Sequence, residues 1–128
     1  MNGLTKEIVL LAEKYLNKDP FVIENIKYYD LVLLLKSGEN EFFYKISNGS
    51  MQVVDNIFFE KPTVEISGNK ENWTLVISGL HGGLHRAFRH KILKFEGDPV
   101  TMLSIWKTLW RVGEALSVAY KEESHALQ

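Results

Sequence analysis

Apolar residues recur along this chain with two periods. Leu4, Ile8, Leu11 and Tyr15 are spaced as on one face of a helix, with Lys6, Glu7, Glu13 and Lys14 between them. Asn17 to Pro20 ends that run, because the residue before a proline is pushed out of helical backbone. Leu31 to Leu35 is unbroken apolar sequence, which suits a central strand covered on both faces, and Ser37-Gly38-Glu39-Asn40 turns the chain. The period then becomes two, as Phe42, Tyr44 and Ile46 alternate with Phe43, Lys45 and Ser47. Asn48-Gly49 favours the positive backbone angles of a tight hairpin, and Met51 to Val54 returns. These three strands form an antiparallel meander.

Ile57 to Lys61, stopped by Pro62, reads as a connection, and Thr63 to Ser67 alternates again as a fourth strand. Asn69 is placed to cap a helix in which Trp73, Val76, Ile77 and Leu80 share a face, until Gly79, Gly82 and Gly83 break it. A helical turn follows through Leu84, Ala87 and Phe88. Lys91 to Glu96 is the fifth strand, with Leu93 and Phe95 on one side. Asp98 and Pro99 then open a final helix expected to run to about Ala119, with Asp98 as cap and Pro99 at the first position. No repeat or linker interrupts the pattern, so residues 1–128 are expected to be a single domain.

Fifteen Lys and Arg against sixteen Asp and Glu leave a net charge of −1, too balanced for the concentrated basic face that nucleic-acid binding needs. The chain has no cysteine, which removes thiolate catalysis, disulfides and Cys-based zinc sites. No apolar run approaches the roughly 18 residues of a membrane span. Enzyme signatures are missing as well: no P-loop lysine pattern, no Gly-x-Ser-x-Gly elbow, and carboxylates scattered singly. Ser78-Gly79 reads as a helix ending, not a nucleophile. His81 and His85 have the four-residue spacing of a helical metal pair, but Gly82-Gly83 between them argues against a helix there. They are expected to be loop histidines, with no metal and no cofactor.

His85, Arg86, Arg89, His90, Lys91 and Lys94 form a basic stretch without a carboxylate. It is either a solvated face or a landing place for an anionic head group. The last helix is richer in apolar surface than packing on one sheet requires: Met102, Leu103, Ile105, Trp106, Leu109, Trp110, Val112 and Leu116 exceed a 100° stripe. A deep core, a homodimer interface or the wall of an apolar cavity would each use that excess.

From about Asp30 to Trp110 the order of elements resembles the sterol carrier protein type 2 family. The matching words are Leu31-Val32-Leu33-Leu34-Leu35, Tyr44-Lys45-Ile46-Ser47-Asn48-Gly49, Val64-Glu65-Ile66-Ser67, Trp73 leading to Ser78-Gly79-Leu80, Ala87-Phe88, and Lys91-Ile92-Leu93-Lys94-Phe95-Glu96-Gly97-Asp98. The resemblance implies a two-layer α/β (α+β) fold of order α-β-β-β-crossover-β-α-β-α. Its five-stranded mixed sheet has spatial order 3-2-1-4-5, with helices packed on one face. It also implies non-enzymatic binding or transfer of a hydrophobic ligand, such as a fatty acid, acyl-CoA, sterol or isoprenoid lipid, in an apolar tunnel between sheet and helices. Carried over by position, the tunnel residues are Trp73, Ile77, Leu80, Leu84, Phe88, Met102, Ile105, Trp106 and Leu109. If the basic stretch is a landing place and not a solvated face, Arg86, Arg89 and Lys91 are its candidates for transient membrane-surface contact. Two departures stand out. His90 occupies a position where the family often has glycine, and the last residues, Ala126-Leu127-Gln128, differ from a Ser-Lys-Leu-type peroxisomal signal, so the expected compartment is the cytoplasm. The competing expectation is a homodimerising interaction module with a filled core.

Overall fold

Thr5 opens the first helix, its hydroxyl accepting the Ile8 N–H at 3.3 Å, and α1 runs Lys6–Leu16. The computed structural model describes residues 3–55, 61–79 and 83–126. Leu4, ahead of the cap, and Val9, in the second turn, are both buried, as in a hydrophobic staple. The inward face of α1 is Ile8, Val9, Ala12 and Leu16, which leaves Leu11 and Tyr15 half-buried at its margin. The sequence pattern placed no element between this helix and the first strand. The structure has one: α2, Pro20–Ile26, in which Asp19 accepts the Phe21 N–H at 3.0 Å and Pro20 takes the start.

The sheet consists of β1 (Leu31–Ser37), β2 (Asn40–Ser47), β3 (Ser50–Val54), β4 (Val64–Gly68) and β5 (Lys94–Gly97). Its spatial order is β3-β2-β1-β4-β5; β1 pairs parallel with β4, and the other neighbours are antiparallel. Asn48 and Gly49 make the β2–β3 turn at φ 51° and 75°, as the sequence pair demands. Leu33 and Leu35 face the core, and Val32 and Leu34 on the opposite face of β1 are buried too. That double burial explains the run without alternation. The chain leaves β3 at Asp55 and returns at Lys61 to lay β4 beside β1.

Edge strand β3 is closed by side chains of α1. The Asn17 amide donates to the Met51 carbonyl and accepts the Met51 N–H, both at 2.8 Å, and Glu13 accepts the Val53 N–H. Edge groups that would otherwise pair with another chain are thereby satisfied.

The remaining helices are α3 (Lys70–Ile77), α4 (Gly83–Arg89), α5 (Pro99–Ser104) and α6 (Trp106–Ala126). Asn69 caps α3, accepting the Asn72 N–H at 2.7 Å. After α4 the Ile92 N–H reaches back to the Ala87 carbonyl at 2.9 Å and the Lys91 N–H to Phe88 at 3.2 Å, with Lys91 left-handed at φ 58°. This is the Schellman closure of a helix, made here without glycine. It takes residues 91–93, so β5 is shorter than the expected Lys91–Glu96 strand.

The final helix departs from expectation twice. It breaks at Ile105 (φ −108°, ψ 16°), where the Ser104 hydroxyl donates to the Val100 carbonyl at 2.8 Å, a local bond of the kind that bends helices. It also continues to Ala126 instead of ending near Ala119, held where the Tyr15 hydroxyl donates to Glu122. That bond, joined by burial and the negative charge of Glu122, raises the Tyr15 pKa. Helix α6 packs along α1 and also meets α2, α3 and α4, and the buried apolar residues other than Val32 and Leu34 form one cluster between these helices and the sheet.

Candidate ligand-binding site

The helices hold most of the expected site residues in that central layer. Trp73 is fully buried on α3, and its indole N–H donates to the Lys36 carbonyl of β1 at 2.6 Å, which satisfies the one polar group of the ring. Ile77 from α3, Leu84 from α4, Ile105 at the helix break and Leu109 from α6 are also buried in the same cluster. Gly113 lets α4 come close to α6: a Cβ built there would stand 2.8 Å from the Leu84 side chain. Met102 and Trp106 are half-buried and pack against the cluster from its rim. Leu80 and His81 lie outside the described residues, as does the side chain of His85.

Three rings converge at the rim. Phe88 from α4 meets Trp106 from α6 edge-on at 5.1 Å between centroids, and meets Phe95 from β5 edge-on at 5.2 Å; Phe95 and Trp106 stand 5.8 Å apart. These separations and tilts are those of favourable aromatic packing. Phe88 is half-exposed while Phe95 and Trp106 are half-buried, so apolar surface grades from solvent into the core at this corner. Phe95 is the member that sequence reasoning left out of the site. Its alternation with Leu93 placed it on the inward face of β5, and an aromatic residue there was the available signal.

Polar groups frame the corner. Asp98 caps α5, accepting the Thr101 hydroxyl at 2.6 Å and the Thr101 N–H at 3.0 Å, and these two bonds lower its pKa. Lys94 pairs with Glu96 at 2.6 Å, and that hydrogen bond and charge raise the Lys94 pKa. Arg86, Arg89, His90 and Lys91 are exposed. Among the described residues no cluster of His, Asp or Glu could hold a metal ion, and no buried polar side-chain atom lacks a hydrogen-bond partner. What the corner and the layer behind it offer a ligand is apolar contact.

Clefts lie elsewhere on the molecule. A cleft of about 700 Å³ is lined by Lys6, Glu39, Glu41, Phe42 and Lys70, among others. Two smaller grooves run along α6 at Arg111 and Glu114. None of the expected tunnel residues lines these three.

No family model and no curated protein matches the chain. Solved structures do. A conserved hypothetical protein from Thermus thermophilus, described as possibly a sterol carrier protein, aligns with TM-score 0.67 at 11% identity over 93% of this chain and 91% of its own. Sterol carrier protein 2 aligns with TM-score 0.60 at 14% identity, covering 90% and 95%. Palmitated SCP2L2 from Aedes aegypti aligns with TM-score 0.55 at 14% identity, covering 83% and 95%. With the sheet order and the placement of the helices, these matches show that the chain has the sterol carrier protein 2 fold.

Proposed function

We propose that this protein binds and carries an apolar small molecule, performing no covalent chemistry on it. The ligand is a lipid with an alkyl or isoprenoid chain, held between sheet and helices and entering at the Phe88–Phe95–Trp106 corner. The observation that carries the reading is that corner, where apolar surface runs from half-exposed Phe88 to the buried layer of Leu84, Ile105 and Leu109. The fold supports it, since a palmitated protein shares this architecture. Trp73, Ile77, Leu80, Leu84, Phe88, Met102, Ile105, Trp106 and Leu109 are the proposed lining. Such a lining recognises length and bulk but little else, because apolar contact is non-directional.

A series of fatty acids tests this through tryptophan fluorescence. Each added methylene contributes about 0.8 kcal/mol, so affinity should rise about fourfold per carbon until the chain outgrows the site. Trp106→Arg should abolish uptake while far-ultraviolet circular dichroism stays unchanged, because Trp106 sits at the rim. Absence of saturable binding at every chain length, or unaltered binding in Trp106→Arg, refutes the proposal.

A further inference from the structure

Between Phe95 and Trp106 the chain makes a closed excursion: the two rings stand 5.8 Å apart, and the residues joining them include all of α5. Helix α5 contributes no buried residue, and its Val100 and Leu103 are 71% and 77% exposed. It is a strap beside the aromatic corner, held by its Asp98 cap, by half-buried Met102 and by the break at Ile105. The layer behind it is closed. Trp73, Ile77, Leu84, Ile105 and Leu109 are at most 1% exposed, so they border no space that a water could enter. An alkyl chain reaches them only after something moves aside.

The break is bridged from outside the helix. In a straight helix the Thr108 N–H would donate to the Ser104 carbonyl. The Ile105 N–H still reaches the Thr101 carbonyl at 3.0 Å and the Leu109 N–H the Ile105 carbonyl at 2.9 Å, while the 104–108 bond is not made. Residues 104 and 108 are joined instead through Asn25 of α2. Its amide accepts the Thr108 hydroxyl and donates to the Ser104 carbonyl at 3.5 Å. Thr108 is fully buried and Asn25 half-buried. One side chain thus holds the chain on both sides of Ile105 and Trp106.

We propose that Asn25 is the latch of a hinge at Ile105, and that its release lets α5 and the Trp106 ring swing aside for cargo to pass. Asn25 is a positioning residue: it acts through Ile105 and Trp106. The proposal rests on the carrier reading and adds the step that admits the ligand.

The chain has no cysteine, so nitroxide labels can be placed at two exposed positions, Leu103→Cys on α5 and Gln52→Cys on β3. Double electron–electron resonance without cargo should give one narrow distance distribution with Asn25 in place, and a broader or second one in Asn25→Ala. Stopped-flow mixing of the full chain with cis-parinaric acid, then displacement by oleic acid, reads entry and exit. Asn25→Ala removes the whole bridge and should speed both steps roughly tenfold, and Thr108→Val removes one bond and should speed both roughly fivefold. Kd should stay unchanged in each. A residue that only supports the fold would lower the unfolding midpoint without raising both rates together. Thr108→Val keeps the side-chain shape, so it carries the test should Asn25→Ala fail to fold. Unaltered distances in the variants overturn the latch. Unchanged entry and exit rates with binding intact overturn the gate. Failure of every chain to take up cis-parinaric acid, with the distances altered as expected, counts against the carrier reading and supports the latch.

Discussion

Lys91 shows what a single position can cost. Left-handed backbone strains any residue with a Cβ by roughly 1 kcal/mol, and the turn after α4 places a lysine there. Lys91→Gly should therefore raise stability by about 1 kcal/mol in urea unfolding, less a few tenths for the added freedom of the unfolded chain. The family resemblance marks His90 as standing where glycine is frequent, and the left-handed residue of the turn is its neighbour Lys91. Periodicity cannot tell the last residue of a helical turn from the first of a strand. Tyr44 makes a second test. Its buried hydroxyl donates to the Val9 carbonyl at 2.8 Å, and burial, with the charge of Glu13, raises its pKa far above 10. An unfolded tyrosine ionises near pH 10. The contribution of Tyr44 to stability is thus complete below about pH 10 and is lost as pH rises beyond it. Phenolate absorbance should show Tyr44 silent until the protein unfolds in alkali. Tyr44→Phe should cost about 1 kcal/mol at neutral pH and make the alkaline decline shallower.

Elements were legible where local grammar and burial agreed. The unbroken Leu31–Leu35 run became the middle strand, and Asn48-Gly49 turned the hairpin. Asp98-Pro99 opened a helix as expected, yet the same words at Asp19-Pro20 also open one, and there the proline was read only as a stop. A proline excludes helix from the residue before it, not from those after. The break at Ile105 was invisible because its cause, Ser104 bonding back to Val100, leaves the apolar spacing intact. The closure of the sheet edge by α1 is another feature that no local pattern announces, since Asn17 and Met51 are 34 residues apart. Asn17→Ala leaves both the Met51 N–H and its carbonyl without their partner. It should cost about 1–3 kcal/mol in chemical denaturation. Amide exchange should speed up in β3 and stay unchanged in β1 if the loss is confined to that edge.

At the scale of the whole molecule, a balanced total charge conceals an uneven distribution. The net charge is −1, yet the exposed cations Arg86, Arg89 and Lys91 gather at the end of α4. Among the described residues no helix is long and apolar enough to cross a membrane. The sheet and helices enclose one apolar layer, and the aromatic corner joins it to the surface. The proposed lining follows by position from the family resemblance, and of these residues Trp73, Ile77, Leu84, Ile105 and Leu109 lie in the buried layer. Phe95 lies outside that set although its alternation with Leu93 marks it, because the resemblance carried over helix positions and no position on β5. Whether the layer receives cargo is decided by what the protein carries when freshly made. Native mass spectrometry of the purified chain, before and after organic extraction, measures this directly. The account predicts a hydrophobic adduct that extraction removes and added fatty acid restores in a one-to-one ratio. A bare polypeptide mass that no fatty acid shifts would contradict it.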